Sequence, residues 1–300
     1  MAERWAQSRV RATGPECSKA YGVALCEEKR AVKEGKVITT EDLGEAFLNR
    51  VSNFTLDVSV PLYWHDRLLC WPKPITGASC FVLKFEEQLV VVTAAHVFRV
   101  YETHLKRNPR LVCQLRLLPY DLPNALIDID DDFDIATFRL SDAQLDQIPG
   151  VPVDCRLRWP PPEPECERAL SLAGFPELIR EVYSDGSGMF QAYGGLQAID
   201  AFSERQIIIT YDPARDQPLM AGVPAPPIGF NMSGCSGGIV LMPEIKDGVC
   251  RLFAVGLIAS GSHDIEPGED RRTDTVLIRR IHRIRPDGTL DRRPDRCLRG

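Results

Sequence analysis

From about residue 60 onward the chain is written as short apolar runs broken by turns, and this pattern constrains its fold more than any other feature. Ala78-Ser79-Cys80-Phe81-Val82-Leu83-Lys84-Phe85 is followed by Glu86-Glu87-Gln88 and then by Leu89-Val90-Val91-Val92-Thr93. Two runs rich in β-branched and aromatic side chains around a short polar break read as a hairpin, because such side chains pack well on a pleated surface. The same signature predicts strands over 111–118, 135–140, 169–173, 206–211, 238–242, 252–260 and 275–278. Strands at this density, with turn residues between them, argue for an all-β barrel or sandwich. At 300 residues and 44% hydrophobic the chain can bury a sizeable core. A double β barrel takes roughly 180–250 residues, which leaves about fifty for an extension.

Before residue 60 the periodicity changes. Thr39-Thr40-Glu41-Asp42-Leu43 offers a capping hydroxyl followed by acids, and Leu43, Phe47, Leu48 and Val51 then recur at helical spacing. A second helix is read over 21–33. Residues 1–57 are therefore expected to be a helical N-terminal extension, either packed on the barrel or docking a regulatory protein partner. Residues 58–150 and 151–285 would form the first and second β barrels. Trp159-Pro160-Pro161-Pro162-Glu163-Pro164 is a stiff stretch where a linker between them would fall, although a helix candidate over 141–148 and Pro152 blur that boundary. Residues 286–300, rich in Arg, Asp and Pro, read as a solvated polar tail or short C-terminal helix.

Composition excludes several function classes. The formal net charge is −6 and basic residues are scattered, so a broad cationic face for nucleic acid is not expected. No run approaches the ~20 apolar residues of a membrane span. The basic N-terminus is followed by no apolar segment, so no secretory signal is read there. The ten cysteines form no CxxC pair and no metal-ligand spacing, and several, such as Cys80 and Cys113, lie in apolar runs. They read as reduced, mostly buried thiols of a cytoplasmic protein. Neither a metal nor a cofactor is expected.

Chemistry concentrates in three short segments. Ser236 lies in Gly234-Cys235-Ser236-Gly237-Gly238, His96 ends Thr93-Ala94-Ala95-His96, and Asp134 opens Asp134-Ile135-Ala136. Acyl transfer needs a nucleophile, a base that takes its proton, a group that orients the base, and donors for the developing oxyanion. Glycines around a serine permit the sharp turn that presents Oγ, and let the N–H groups of Gly234 and Ser236 converge on one oxygen. A lone GxSxG is a weak pattern, a lone histidine is most often a surface or core residue, and a lone aspartate is most often a loop acid. The information lies in the three together. The run Asp128-Ile129-Asp130-Asp131-Asp132 lacks the glycine and distal glutamate of a calcium loop. It reads as a solvated loop whose field favours protonated His96.

These segments resemble the signatures of trypsin-like serine peptidases over roughly residues 75–285. The chain order His, Asp, Ser is that of the chymotrypsin-like enzymes, not of subtilisin or the α/β-hydrolases. The resemblance implies two six-stranded β barrels with the active site between them. Ser236 would be the nucleophile, His96 the general base and then acid, and Asp134 its orienting partner. Gly234 and Ser236 would supply the oxyanion N–H groups. The specificity pocket would have its base near Phe230 and Asn231 and one wall at Ala259, Ser260 and Gly261, whose edge would pair with substrate backbone. No acid stands within 228–233, so a small or moderately apolar side chain is expected there rather than Arg or Lys. The Phe230 ring alternatively points into the core.

Departures from the family are informative. Cys235 stands where secreted members carry the aspartate that receives a newly cut N-terminus, so maturation by that route is not expected. Val97 stands where they carry a cysteine. Cys235 as the nucleophile would need the glycine frame shifted by one, with Ser233 in the place of the first glycine; it reads instead as a small packing residue. The expected function is a serine endopeptidase performing limited proteolysis of a specific intracellular protein. Such standalone proteins resemble the protease components of bacterial stress or defence systems. The alternatives are a non-catalytic binding module on the same scaffold and an esterase-like hydrolase.

Overall fold

Two antiparallel sheets, one of them curled into a half-barrel, carry most of the chain in this computed structural model. It describes residues 24–25, 40–66, 76–148, 150–182, 188–211, 232–246, 249–261 and 274–293. The first sheet contains β1 (Ser59–Asp66), β2 (Thr76–Lys84), β3 (Leu89–Thr93), β4 (Leu111–Leu115), β5 (Leu126–Asp130) and β6 (Ile135–Leu140). They lie side by side in the order β4-β1-β2-β3-β6-β5. The second sheet contains β7 (Ala169–Gly174), β8 (Tyr193–Ala198), β9 (Gln206–Tyr211), β10 (Ile239–Lys246), β11 (Val249–Gly261) and β12 (Asp274–Arg280). Their order is β9-β12-β11-β10-β7-β8.

Counted from one within each sheet, the long strands read 4-1-2-3-6-5 in the first and 3-6-5-4-1-2 in the second. This is one ring order, opened at a different joint in each. At the open joint of the second sheet the hydroxyls of Tyr193 on β8 and Tyr211 on β9 are 3.0 Å apart, with their rings edge to face.

Side-chain alternation assigns the cores. Ile239 and Leu241 of β10 face a core that includes Phe81, Leu83, Val90, Val92, Phe98, Ile135 and Phe138 of the first sheet and its helix. Val240 and Met242, on the opposite face, join Leu170, Leu172, Ile207, Ile209, Val276 and Ile278. A strand of period two thus serves both cores at once. The two sheets are bonded through apolar packing, in which each fully buried Leu, Ile or Phe contributes about 1.5–3 kcal/mol.

The helix α1 (Thr40–Val58) breaks at Gly44, where φ is 70° and ψ 158°. It packs on the second sheet through buried Val51, Ser52, Thr55 and Val58, with Thr55 Oγ1 2.6 Å from Ser171 Oγ on β7. The expected second helix over 21–33 is corrected where it is described: Ala24–Leu25 is a strand paired with Ala201–Phe202. The remainder of that stretch lies outside the described residues.

Three of the twelve labelled strands were not expected. β1 contains Pro61, which normally marks a strand edge. Pro61 pairs with Ser79 of β2, but pairing with β4 begins only at Leu62, so its missing N–H leaves no gap in that ladder. β5 takes in the first three residues of the acidic run read as a solvated loop, pairing with β6 from Leu126↔Phe138 to Asp130↔Ile135, while Asp131 and Asp132 lie in an exposed turn. β8 carries Gly194-Gly195, and Gly194 admits the Leu56 side chain of α1.

After β12 the chain returns to the first sheet. Ile281, Ile284 and Leu290 are buried, and Thr137 Oγ1 donates to Gly288 O at 2.7 Å. The expected polar tail from 286 is therefore a strap through Arg293; residues 294–300 lie outside the described residues. The linker tryptophan is tucked in as well: Trp159 Nε1 donates to Ile284 O at 2.7 Å and its ring meets Phe85 edge-on. Cys80, Cys113, Cys155, Cys235 and Cys250 are free thiols, all but Cys250 buried. Cys166 is disulfide-bonded, which corrects the expectation of reduced thiols at that position. No described helix is long and apolar enough to cross a membrane.

Candidate active site

Helix α2 (Ala95–Arg107) begins directly after β3, and its N-cap residue, Ala94, has no side chain to satisfy the first N–H groups. Asp134 does so from the neighbouring hairpin: His96 N–H donates to Asp134 Oδ1 at 2.9 Å. The ring follows the backbone, with His96 Nδ1 3.0 Å from both Oδ1 and Oδ2. A carboxylate at Nδ1 keeps the proton on that nitrogen and leaves Nε2 of the neutral ring as an acceptor. The His96 side chain is 46% exposed against 15% for Asp134, so the carboxylate is shielded while the ring is open to solvent.

Asp134 sits in the left-handed region, φ 53°, at the end of the β5–β6 turn. Aspartate tolerates that conformation better than most residues. Asp130 shapes the turn by accepting the N–H groups of Asp132 and Phe133, both at 3.0 Å. Within the acidic run Asp128, Asp130 and Asp131 pair with cations, although Asp131 stays largely exposed. Arg99, one turn beyond His96, binds Asp131 through Nε at 3.0 Å and Nη2 at 2.9 Å. That contact holds the Asp131 carboxyl below its ordinary value of 3.8. At Asp128 burial pushes the carboxyl up, but hydrogen bonds from Arg292 and from the N–H groups of Leu290 and Ile129 outweigh it and the net shift is downward.

Each carbonyl of residues 232–236, the Ser236 turn, accepts a hydrogen bond. Met232 O accepts from Cys235 N at 2.9 Å, Ser233 O from Glu177 N at 2.8 Å and Gly234 O from Ser79 Oγ at 3.0 Å. Cys235 O accepts from Gly238 N at 2.7 Å, and Ser236 O from Ser79 N at 2.9 Å. Gly237 N donates to Ile258 O at 2.7 Å. Among the described residues, the N–H groups of Gly234 and Ser236 donate no backbone hydrogen bond. These are the two that sequence reasoning assigned to an oxyanion.

Close approach dictates the glycines. Gly237 has φ 82°, and a Cβ there would lie 2.2 Å from both Ser79 O and Thr93 Oγ1. The turn from the second sheet therefore presses on β2 at Ser79 and on the end of β3 at Thr93, three residues before His96. At Gly234, φ 87°, a Cβ would meet Glu177 N at 2.7 Å. Cys235 is fully buried, and burial pushes its thiol far up, so it stays protonated and non-nucleophilic.

Ser236 Oγ donates to Ala259 O at 3.2 Å. Among the described residues no hydrogen bond joins it to His96. Ala259 lies at a register shift between Ile258 and Ser260 in the β11–β12 pairing, an irregularity of the kind that re-aims backbone groups beside active sites. Ser260 and Gly261 pair with Leu277 and Val276 of β12, while pairing of β11 with β10 ends at Ile239↔Leu257. One edge of 259–261 is thus unpaired among the described strands. Phe230 and Asn231 lie outside the described residues.

Sequence reasoning missed Ser79, the residue that ties this site together. It donates to Gly234 O, accepts from Phe175 N at 2.8 Å, and accepts at its carbonyl from Thr93 Oγ1 at 2.8 Å. A single serine in an apolar strand carries no signal that could have marked it. Among the described residues no group of three or more His, Cys, Asp or Glu side chains is arranged to hold a metal ion. The arrangement offers a base with an open Nε2, a hydroxyl in a tight turn and two uncommitted N–H groups. No protein-family model matches the chain, and no curated protein matches it in sequence.

Proposed function

We propose that this chain is a trypsin-like serine endopeptidase, built as two six-stranded β barrels, that cuts a protein or peptide substrate through an acyl-enzyme on Ser236. The observation that carries the reading is the double hold on Asp134, which takes both the ring Nδ1 and the backbone N–H of His96. The ring order shared by the two sheets supports the barrel assignment. The packing of Gly237 against Thr93 supports a site at their joint.

Catalysis begins when Ser236 rotates about χ1, leaving Ala259 O and passing its proton to His96 Nε2 as Oγ attacks the scissile carbonyl. The oxyanion takes the N–H groups of Gly234 and Ser236, each such donor being worth about 10²–10³ in rate. Asp134 stabilises the imidazolium, which protonates the leaving amine, and water then repeats the sequence on the acyl-enzyme. Substrate backbone adds to the unpaired edge of 259–261 as an extra strand. The reading needs no cofactor and is one of limited proteolysis of a specific protein.

The bond from Ser236 Oγ to Ala259 O favours a second reading, a non-catalytic binding module. A fluorophosphonate probe separates the two. It is expected to label the wild type at Ser236, to leave Ser236→Ala unlabelled, and to label His96→Ala far more slowly. Profiling of new N-termini produced by wild type but not by Ser236→Ala then gives the cleavage sites. Absence of both labelling and cleavage selects the binding module, and turnover of esters without peptide cleavage selects an esterase.

A further inference from the structure

We propose that the Ser79 hydroxyl is a positioning residue that locks the oxyanion-binding N–H groups of the Ser236 turn in place without any processing of the chain. This inference rests on the peptidase reading above. The N–H groups in question belong to the peptide units 233–234 and 235–236, and a peptide unit that flips replaces its N–H with its carbonyl. In a turn this rich in glycine such flips cost little intrinsically. What prevents them is that each carbonyl is already engaged: Ser233 O by Glu177 N and Cys235 O by Gly238 N.

Ser79 acts on this arrangement twice. Its hydroxyl donates to Gly234 O, fixing the intervening unit 234–235. The same oxygen accepts from Phe175 N, fixing the loop that presents Glu177 N to Ser233 O. Ser79 is fully buried, so no water substitutes for a lost hydroxyl. Fully buried Cys235 occupies the place between these anchors without an ion pair, which leaves the orientation of the turn to neutral hydrogen bonds already present in the intact chain.

The test uses full-length protein, the fluorophosphonate probe and p-nitrophenyl butyrate. Ser79→Ala is expected to lower kcat by about ten- to a hundredfold, less than the roughly 10²–10³ for losing an oxyanion donor outright because the donors are loosened and not removed, with KM changed less than about threefold. Labelling slows in proportion. Ser171→Ala, which removes a buried serine hydroxyl from β7, leaves kcat within about twofold and reports what loss of a buried hydrogen bond does by itself. Ser79→Gly deletes the same oxygen and stands in should the alanine variant not fold. The inference is overturned if Ser79→Ala keeps its kcat, if Ser171→Ala loses as much, or if intact-mass measurement finds label only on N-terminally trimmed protein. A wild type that neither labels nor turns over ester overturns the peptidase reading itself, and this inference with it.

Discussion

His96 and Asp134 are held together by groups of the first sheet alone, whereas the Ser236 turn is held largely by groups it does not own. The base and its acid need only β3, α2 and the β5–β6 hairpin, and three contacts of 2.9–3.0 Å join them. The turn instead relies on Ser79 from β2, on Glu177 from the loop after β7 and on Ile258 from β11. The proposed base is thus a local property of one sheet, and the proposed nucleophile is a property of the joint between two. Damage to the joint should disable the serine while leaving the histidine and aspartate paired.

Three substitutions sharpen or break this contrast. Asp134→Asn keeps an oxygen for the His96 N–H but presents an amide to Nδ1 and favours the wrong tautomer. Fluorophosphonate labelling of Ser236 should fall by about 10⁴ at neutral pH with little change in melting temperature. A rate near that of the wild type would remove His96 from the mechanism. Gly237→Ala places a methyl against Ser79 O and Thr93 Oγ1 at a positive φ, and urea denaturation should show a loss of about 3 kcal/mol. Unchanged stability would mean the turn does not bear on the first sheet.

The smallest effect belongs to the strap. Arg292→Ala should cost no more than about 1 kcal/mol, because its pairing with Asp128 is partly exposed. The folded Asp128 carboxyl lies below its ordinary value of 3.8, so folding favours the ionised form. Its contribution is full above about pH 4 and is lost as pH falls through the lower folded value. Wild type and Arg292→Ala should therefore converge in stability on acidification. A gap that persists below pH 2 would assign the effect to packing of the Arg292 stem.

Much of the first sheet could be read directly. The hairpin from Ala78 to Thr93 and the strand Ile135–Leu140 are dense in β-branched residues, and their inner faces are buried. β1 was obscured by Pro61, whose cost depends on which neighbour it lacks a donor for, and only the three-dimensional pairing says so. β5 was obscured by its aspartates, because the cation that neutralises them, Arg292, is distant in sequence. At the site, the pairing of His96 with Asp134 could be anticipated from motif context. Ser79 could not, since its importance comes from what three other segments place around it. The start of α2 was equally hidden, because its cap comes from another hairpin instead of the preceding residue.

The strap also sets an order of events during synthesis. The ribosome delivers β5, the Asp134 turn and β6 early, but the backbone of Leu290 and the guanidinium of Arg292 that brace Asp128 arrive only after β12 has been made. Domains generally fold as units as they emerge, N-terminal ones first. A nascent chain that had translated only its first sheet would carry the histidine without this brace and without any serine turn. On the proposed reading, nucleophile and base therefore meet only after both halves have left the exit tunnel.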